Sequence, residues 1–395
     1  MVSIEKALAM VLNTTQDFGV ERIPFTKTVG RILKETIVAD RDFPPFNRVT
    51  MDGIAIDYNT YEKGQKTFFI EGIQAAGSAE RTLQNQKHCI EVMTGAMLPK
   101  NTNTVIRYED LVIEHGKATL ATDSVMASQN IHPQGKDRQK GCLLIPKNTQ
   151  ISAAEIGILA TVGKTTVQVA KNPKIMVVST GNELVDVHEN PLAYQIRKSN
   201  IYTVLSLLNK LNINAETSHL NDDKEILKTT IKTYLDSYDV LLFSGAVSKG
   251  KYDFLPEIFE ELGIQKQFHK VAQRPGKPFF FGTTTRCRIF GFPGNPVATF
   301  VNCLVYFMPW YCKSMGIKKE IETAILGEDF IFKPDLVYFL SVRLENKFGH
   351  LVAFPIQGNG SGDLANLANA DGFIEMPKAQ QIFKKGAVFP VFRYR

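Results

Sequence analysis

The sequence predicts a multidomain α/β protein with a central, doubly wound sheet. Strand-like and helix-like segments alternate over residues 171–316, and this alternation is typical of a parallel sheet with helices on both faces. Residues 41–138 and 317–395 contain short strand-like runs between turn residues, which indicates β-rich structure on either side. A chain of 395 residues is also longer than one hydrophobic core usually supports, so several domains are expected.

Helical periodicity occurs twice outside the central region. Apolar residues recur at helical spacing from Ile4 to Leu12, which predicts an amphipathic helix at the N-terminus. Ser152 and Glu155 form a capping box that predicts the start of a second helix. Because these helices bracket a β-rich stretch, we expect the following domains: 1–40 with 139–170 as an interleaved helical and linker domain, 41–138 as a β-rich insertion, 171–316 as the α/β domain and 317–395 as a C-terminal β domain.

Composition excludes several classes of protein. No apolar run reaches the roughly 18 residues that a membrane helix needs, and the N-terminus has no signal-peptide pattern. The net charge of +6 is spread without a Lys/Arg-rich run, so we expect neither nucleic acid nor a membrane as partner. The five cysteines form no paired motif, which indicates reduced thiols and a cytoplasmic location.

Polar, glycine-bearing loops follow three strands of the α/β region: STGNEL, SGAVSKGKYDF and GFPGNP. In open α/β sheets ligands bind beyond the carboxyl ends of the strands. The carboxylates of Glu183 and Asp253 beside such loops suit a hydrated Mg²⁺ bound to a nucleotide phosphate. Asp222 could be a third carboxylate, although capping the next helix is an equally good interpretation of it.

Two further segments could bind anions. In GFPGNP, Gly294 and Asn295 precede Pro296 at a predicted helix start, where backbone N–H groups can approach an anion; a plain helix start is the alternative. In VAQRPGKP, Arg274 and Lys277 flank a Pro-Gly turn and could bind an oxyanion or neutralise a leaving phosphate. A solvated turn is the alternative there.

Turn residues outside the α/β region indicate little when each is taken alone. Asp52 lies in a Met-Asp-Gly turn, Thr94 ends a predicted strand, and a Gly-Ser-Gly turn contains Ser361. The histidines show no zinc-ligand spacing. The sequence also contains no nucleophile elbow, Walker loop or G-x-G-x-x-G motif.

Taken together, the motifs resemble one family. The segments FPPFNRVTMDGIAI, TGAMLPKNTNTVIRYED, STGNEL, SGAVSKGKYDF, VAQRPGKPFFFG, GFPGNP and GSGDLANLANADG occur in the order seen in the molybdopterin molybdenumtransferases, the family of MoeA and the gephyrin E-domain. The resemblance implies a molybdopterin-binding α/β domain, a β-barrel-like C-terminal domain and a homodimer with its active site between subunits. It further implies a reaction that takes adenylylated molybdopterin and molybdate, inserts molybdenum into the dithiolene and releases AMP, with Mg²⁺ as cofactor.

The resemblance also implies roles for individual residues. The implied catalytic residues are Asp52, Thr94, Asp137, Arg274 and Lys277. The implied substrate-binding residues are Ser244, Gly245, Ser248, Gly250, Pro293, Gly294, Asn295 and Ser361. The implied metal ligands are Glu183, Asp222 and Asp253.

Several positions depart from the family pattern. His132 replaces a common arginine, Ala246 a usual glycine, Asn182 a frequent aspartate, and Asp363 a usually apolar residue. None of these changes removes a carboxylate from the implied metal site. The alternatives are a dimeric scaffold of the gephyrin type, a phosphate enzyme of the CinA type and a homologue that uses tungstate.

Overall fold

The structure is a computed structural model that describes residues 1–245, 254–318, 320–358 and 360–395. It divides into two compact units. The first unit comprises Met1–Lys34, Gln150–Ser152 and Gln168–Arg395, and the second comprises Glu35–Thr149 and Ala153–Val167. The finer division into four domains, with the boundaries given above, stays a prediction.

Within the described residues there are eight α-helices: α1 Ile4–Leu12, α2 Tyr58–Glu62, α3 Ala153–Thr161, α4 Asn200–Asn209, α5 Lys224–Ser237, α6 Leu255–Glu261, α7 Pro296–Asn302 and α8 Met308–Met315. A π-helical turn, Cys303–Phe307, joins α7 to α8. Short 3₁₀ helices cover Phe25–Lys27, Tyr108–Asp110 and Leu364–Ala368. None of the described helices is long and apolar enough to cross a membrane.

The strands of the described residues, in chain order, are β1 Val20–Pro24, β2 Ile37–Val38, β3 Arg48–Val49, β4 Gly53–Ile56, β5 Thr67–Gln74, β6 His88–Val92, β7 Thr104–Arg107, β8 Leu111–Glu114, β9 Lys117–Leu120, β10 Ile131–His132, β11 Leu143–Ile145, β12 Thr166–Ala170, β13 Ile175–Thr180, β14 Leu184–Val185, β15 Ile196–Arg197, β16 Ala215–Leu220, β17 Val240–Ser244, β18 Gln265–Lys270, β19 Gln273–Arg274, β20 Pro278–Thr283, β21 Arg288–Phe292, β22 Glu322–Leu326, β23 Phe330–Ile331, β24 Val337–Lys347, β25 His350–Pro355, β26 Gly372–Met376, β27 Ile382–Phe383 and β28 Val388–Arg393.

The central sheet of the first unit has the strand order β16-β13-β17-β21-β20-β18. Its first four strands are parallel, as predicted. At one edge the sheet departs from the parallel arrangement, because β20 runs antiparallel to both β21 and β18. Only four residues separate β20 from β21, and so short a connection allows a hairpin but no crossover helix.

Helices cover both faces of this sheet. One apolar core contains Val177, Phe279 and Phe290 of the sheet with side chains of α1, α4, α7 and α8. The other contains Val178 and Phe243 of the sheet with side chains of α5 and α6. The inner strands β13 and β17 are therefore buried on both faces, which explains why their sequences are mostly apolar rather than alternating.

The C-terminal strands close into a barrel. The strands β24, β25, β22, β28 and β26 pair in that order, and β26 pairs back with β24. Leu340, Ile374 and Val391 lie in its buried core. The prediction of a barrel-like C-terminal region is confirmed.

The second unit contains a six-stranded sheet of order β7-β4-β6-β5-β9-β8. Ile54, Phe68 and Ile106 belong to the apolar core on one side, and Ala55, Ile90 and Val105 to a core on the other. These strands lie within residues 41–138, which the sequence predicted to be β-rich.

Candidate active site

A cavity of about 430 Å³ lies at the carboxyl edge of the central sheet. This size is within the range of small-molecule sites. Its walls come from the ends of β13 and β17, the segment that contains β14 and β15, and the loop before α7. The lining residues are Ser179, Thr180, Gly181, Glu183, Leu184, Ile196, Arg197, Lys198, Ser199, Asn200, Ile201, Asp222, Ser244, Gly245, Gly294, Asn295 and Pro296.

Two of the predicted metal ligands, Glu183 and Asp222, line this cavity. The Glu183 carboxylate folds over Gly181, where an added Cβ would come within 2.5 Å of Oε2. Gly181 also has a φ of +134°, so an L residue there would be strained. The loop after β16 is fixed to the same turn, because the Asp222 N–H donates to Asn182 Oδ1 at 3.1 Å.

The alternative interpretation of Asp222 as a helix cap is wrong. The N-cap of α5 is Asp223, whose Oδ1 accepts a hydrogen bond from the Ile226 N–H at 2.9 Å. Both neighbours are aspartates, so the sequence alone does not distinguish the capping residue from the one before it.

The short segment that contains β14 and β15 contributes positive charge that was not predicted from the sequence. The strands β14 and β15 pair in parallel, with Val185 opposite Arg197. Lys198 follows, and its Nζ lies 2.9 Å from Asp186 Oδ2. This hydrogen bond is the main reason why the pKa of Asp186 is below its usual range. Arg197 and Lys198 thereby place two cations at the cavity wall.

Asn200, the first residue of α4, joins the end of β17 to the loop before α7. Its Nδ2 donates to Ser244 Oγ at 2.8 Å and to the Gly294 carbonyl at 2.7 Å. Asn200 was not predicted from the sequence as a site residue, although its position at a helix start beyond a strand end was a usable signal. At Gly245, with a φ of +107°, an added Cβ would meet the Thr180 carbonyl at 2.8 Å.

The loop before α7 is joined to the segment that contains Ser361. Asn295 occupies the N-cap position but makes no capping bond with its side chain. Instead, its Nδ2 donates to Ser361 Oγ at 2.8 Å. The predicted residue Pro293 is buried, and its carbonyl accepts a hydrogen bond from Thr299 Oγ1 at 2.5 Å.

A second cavity of about 200 Å³ is lined by Arg274 and Ser361, with Tyr338, Ser341 and Asp363 among its other residues. It lies in the first unit, where β19 pairs with β24. Lys277 is exposed but is not among the residues that line either cavity. The structure thus places one of the two predicted cations at a cavity.

In the second unit, Asp52 and Thr94 are in direct contact. The Thr94 N–H and hydroxyl donate to Asp52 Oδ1 at 2.6 and 2.7 Å. The backbone bond first, and the hydroxyl bond second, hold the pKa of Asp52 below its usual range. The following Gly53 allows close strand contact, because a Cβ there would lie 1.8 Å from the Ile106 carbonyl oxygen.

Asp137, also in the second unit, is paired with His132. The His132 Nε2 lies 2.8 Å from Asp137 Oδ1. The strand β10, which ends at His132, pairs with β3 just before the Asp52 turn, and the Thr50 N–H donates to the Asn130 carbonyl at 3.0 Å. Asp137 is therefore attached, through backbone pairing, to the segment that presents Asp52.

The whole chain can now be compared with known proteins. Residues 2–163 match the MoeA N-terminal region (domain I and II), residues 176–311 a probable molybdopterin binding domain, and residues 323–393 the MoeA C-terminal region (domain IV). The chain is 37% identical to the molybdopterin molybdenumtransferase of Synechocystis sp., with 100% of both chains covered. The chain belongs to the MoeA family.

Other MoeA relatives agree over the same length. A molybdopterin molybdenumtransferase of Staphylococcus epidermidis is 30% identical over 99% of this chain and 95% of its own. The crystal structure of the molybdopterin biosynthesis MoeA protein from Pyrococcus horikosii has a TM-score of 0.83 at 29% identity, covering 100% of this chain and 99% of that chain. The resemblance that the motifs indicated is confirmed.

Part of the MoeA motif SGAVSKGKYDF lies outside the described residues. This applies to Ala246, Ser248, Gly250 and Asp253, whose assignments stay predictions. Among the described residues, no group of three or more His, Cys, Asp or Glu side chains could hold a metal ion. The carboxylates of Glu183 and Asp222 are the described candidates for a metal site.

Proposed function

We propose that this chain inserts molybdenum from molybdate into the dithiolene of adenylylated molybdopterin and releases AMP, the last step of molybdenum cofactor biosynthesis. The main support is the similarity to a molybdopterin molybdenumtransferase at 37% identity over the full length of both chains. The cavity at the carboxyl edge of the central sheet supplies a fitting site for the nucleotide-bearing substrate. The proposal includes a cytoplasmic homodimer with its active site between subunits.

Magnesium suits the donors that are present. Glu183 and Asp222 bring carboxylate oxygens to one cavity, and Mg²⁺ commonly takes one or two carboxylates together with waters and substrate phosphates. Asp253 is proposed as a further ligand. When bound, Mg²⁺ would neutralise charge on the phosphates as the phosphoanhydride bond breaks.

The chain's own groups would bind and orient the adenylylated end of the substrate. Arg197 and Lys198 at the cavity wall attract phosphate oxygens. Asn200 holds the end of β17 and the loop before α7 together through its two short hydrogen bonds. A wall fixed in this way loses little conformational freedom when the ligand binds.

Arg274 and Ser361 would bind the tetrahedral oxyanion. Both line the cavity of about 200 Å³, and a guanidinium offers several donors in a geometry that matches oxyanions. We propose that Lys277, on the same turn, adds positive charge nearby. Molybdate and tungstate have nearly the same size and charge, so this site is expected to accept either.

Asp52 would act at the reacting end of the substrate. Two hydrogen bonds from Thr94 fix its carboxylate and keep it ionised at lower pH than usual. An ionised and oriented carboxylate can accept a proton or a hydrogen bond from a substrate group. The Asp52→Asn variant should therefore fold normally and lose metal insertion.

The test is AMP release from adenylylated molybdopterin by the purified chain with Mg²⁺, with and without molybdate. Release that requires molybdate, with molybdenum in the pterin product, is the expected result. Release indifferent to molybdate would indicate a phosphoanhydride hydrolase. No release in either case would favour a binding scaffold of the gephyrin type.

A further inference from the structure

Three polar side chains form a fully buried network next to the Pro-Gly turn between Arg274 and Lys277. Arg274 of this turn lines the second cavity. Gln273 of β19, Asn302 at the end of α7 and Tyr306 of the π-helical turn each have 0% exposure. The Tyr306 hydroxyl donates to Gln273 Oε1. Buried polar groups cost stability unless they are hydrogen-bonded, and apolar side chains could fill the same space. Their presence therefore needs a reason other than packing.

The network bonds to the backbone of the Pro-Gly turn. Gln273 Nε2 donates to the Pro275 carbonyl at 2.9 Å and to Asn302 Oδ1 at 2.8 Å. Asn302 Nδ2 donates to the Gly276 carbonyl at 3.3 Å. Gly276 has a φ of +86°, and an added Cβ would lie 2.5 Å from Asn302 Oδ1. The turn therefore packs directly against the Asn302 amide, which leaves no room for a side chain at residue 276.

The two helix residues of the network lie at a π-helical turn. Asn302 directly precedes it and Tyr306 lies within it. A π-helical insertion rotates the following residues relative to a regular α-helix, and such insertions occur often at functional sites. Tyr306 also packs against Phe279, with ring centroids 4.7 Å apart, so its orientation is fixed on both sides.

The outer side of this turn presents Arg274. The Val271 N–H closes the turn by donating to the Lys277 carbonyl at 3.0 Å. Arg274 lines the cavity that Ser361 also lines, and its guanidinium lies 6.0 Å from the Phe332 ring centroid. Within the described part of the chain, no carboxylate forms an ion pair with it. Its charge is therefore not neutralised by an ion pair there, although Asp363 also lines the cavity.

We infer that the network of Gln273, Asn302 and Tyr306 is a positioning device for Arg274. The network holds the carbonyls of Pro275 and Gly276 in place by hydrogen bonds. The Arg274 guanidinium therefore binds an oxyanion in the cavity in one orientation. The three members of the network are not among the residues that line the cavity. The inference rests on the proposed function, in which Arg274 binds molybdate.

The test compares four full-length proteins: wild type, Asn302→Leu, Arg274→Ala and the double variant. In metal insertion with molybdate varied, Asn302→Leu should raise the KM for molybdate about tenfold, because both hydrogen bonds of the Asn302 amide are lost, one to the Gly276 carbonyl and one to Gln273. Its kcat and its KM for adenylylated molybdopterin should change less than about twofold. The double variant should be no worse than Arg274→Ala, because the network acts only through that side chain.

A conservative variant keeps the test decisive if Asn302→Leu does not fold. Tyr306→Phe removes only the hydroxyl and keeps the ring against Phe279, so it should give a smaller rise of the same KM. Additive effects of Asn302→Leu and Arg274→Ala, or an equal rise in both KM values, would overturn the inference. An unchanged molybdate KM in both single network variants would do so too.

Failure of the proposed function can be distinguished from failure of this inference. If the wild type inserts no metal, molybdate binding by equilibrium dialysis replaces the KM in the same comparison of four proteins. Weaker molybdate binding by Asn302→Leu, with no further loss in the double variant, would support the positioning role even then. Equal binding by all four proteins, or no binding by the wild type, would overturn it.

Discussion

Replacing Asn200 by alanine should make the wall of the cavity at the carboxyl edge of the central sheet less rigid. The Asn200 amide makes two short hydrogen bonds, to Ser244 Oγ at 2.8 Å and to the Gly294 carbonyl at 2.7 Å. Each bond contributes about 0.5–1.5 kcal/mol net, so their loss amounts to about 1–3 kcal/mol. If this energy holds the end of β17 and the loop before α7 in the ligand-binding arrangement, affinity should fall about 5- to 150-fold, since about 1.4 kcal/mol is a factor of ten.

The assay is calorimetric titration of AMP into the chain with Mg²⁺. Asn209→Ala is the matched control, because Asn209 is exposed at the opposite end of the same helix. It should bind AMP as the wild type does. Unchanged affinity in Asn200→Ala, or an equal loss in Asn209→Ala, would refute the assignment of Asn200 to the binding wall.

Three further variants test other parts of the account. Thr94→Val removes one donor to Asp52, so the pKa of that carboxyl should rise and the acid limb of the pH profile should move to higher pH, whereas Thr94→Ser should leave the profile in place. Gly53→Ala should cost more than about 3 kcal/mol in urea unfolding because its Cβ would overlap a backbone carbonyl, whereas Gly157→Ala, with nothing within 4 Å, should not destabilise. Glu183→Gln should raise the Mg²⁺ concentration that half-saturates AMP release; an unchanged Mg²⁺ requirement would remove Glu183 from the metal site.

The sequence predicted the part of the site that follows from strand and helix periodicity. Alternating elements imply a parallel sheet, and a parallel sheet brings its carboxyl-end loops to one edge. Glu183, Asp222 and Ser244 indeed line one cavity, while their chemical roles stay a prediction. The antiparallel edge was missed because nothing local in β18 and β20 indicates the direction in which they pair.

Features that depend on tertiary contact could not be predicted. Lys198 reaches the cavity through an arm of two-residue strands, which is too short to give a periodic signal. Gln273 and Asn302 are 29 positions apart and meet only in the folded chain. The change from Asp222 to Asp223 as the helix cap depends on backbone geometry at one residue.

The stoichiometry of a single turnover tests the central claim most directly. Adenylylated molybdopterin bound to the chain would be mixed with molybdate and Mg²⁺, and the AMP released and the molybdenum bound to the pterin dithiolene would be counted together. The account predicts one molybdenum atom inserted for each AMP released, with both lost in Asp52→Asn. AMP release without molybdenum in the pterin would contradict it.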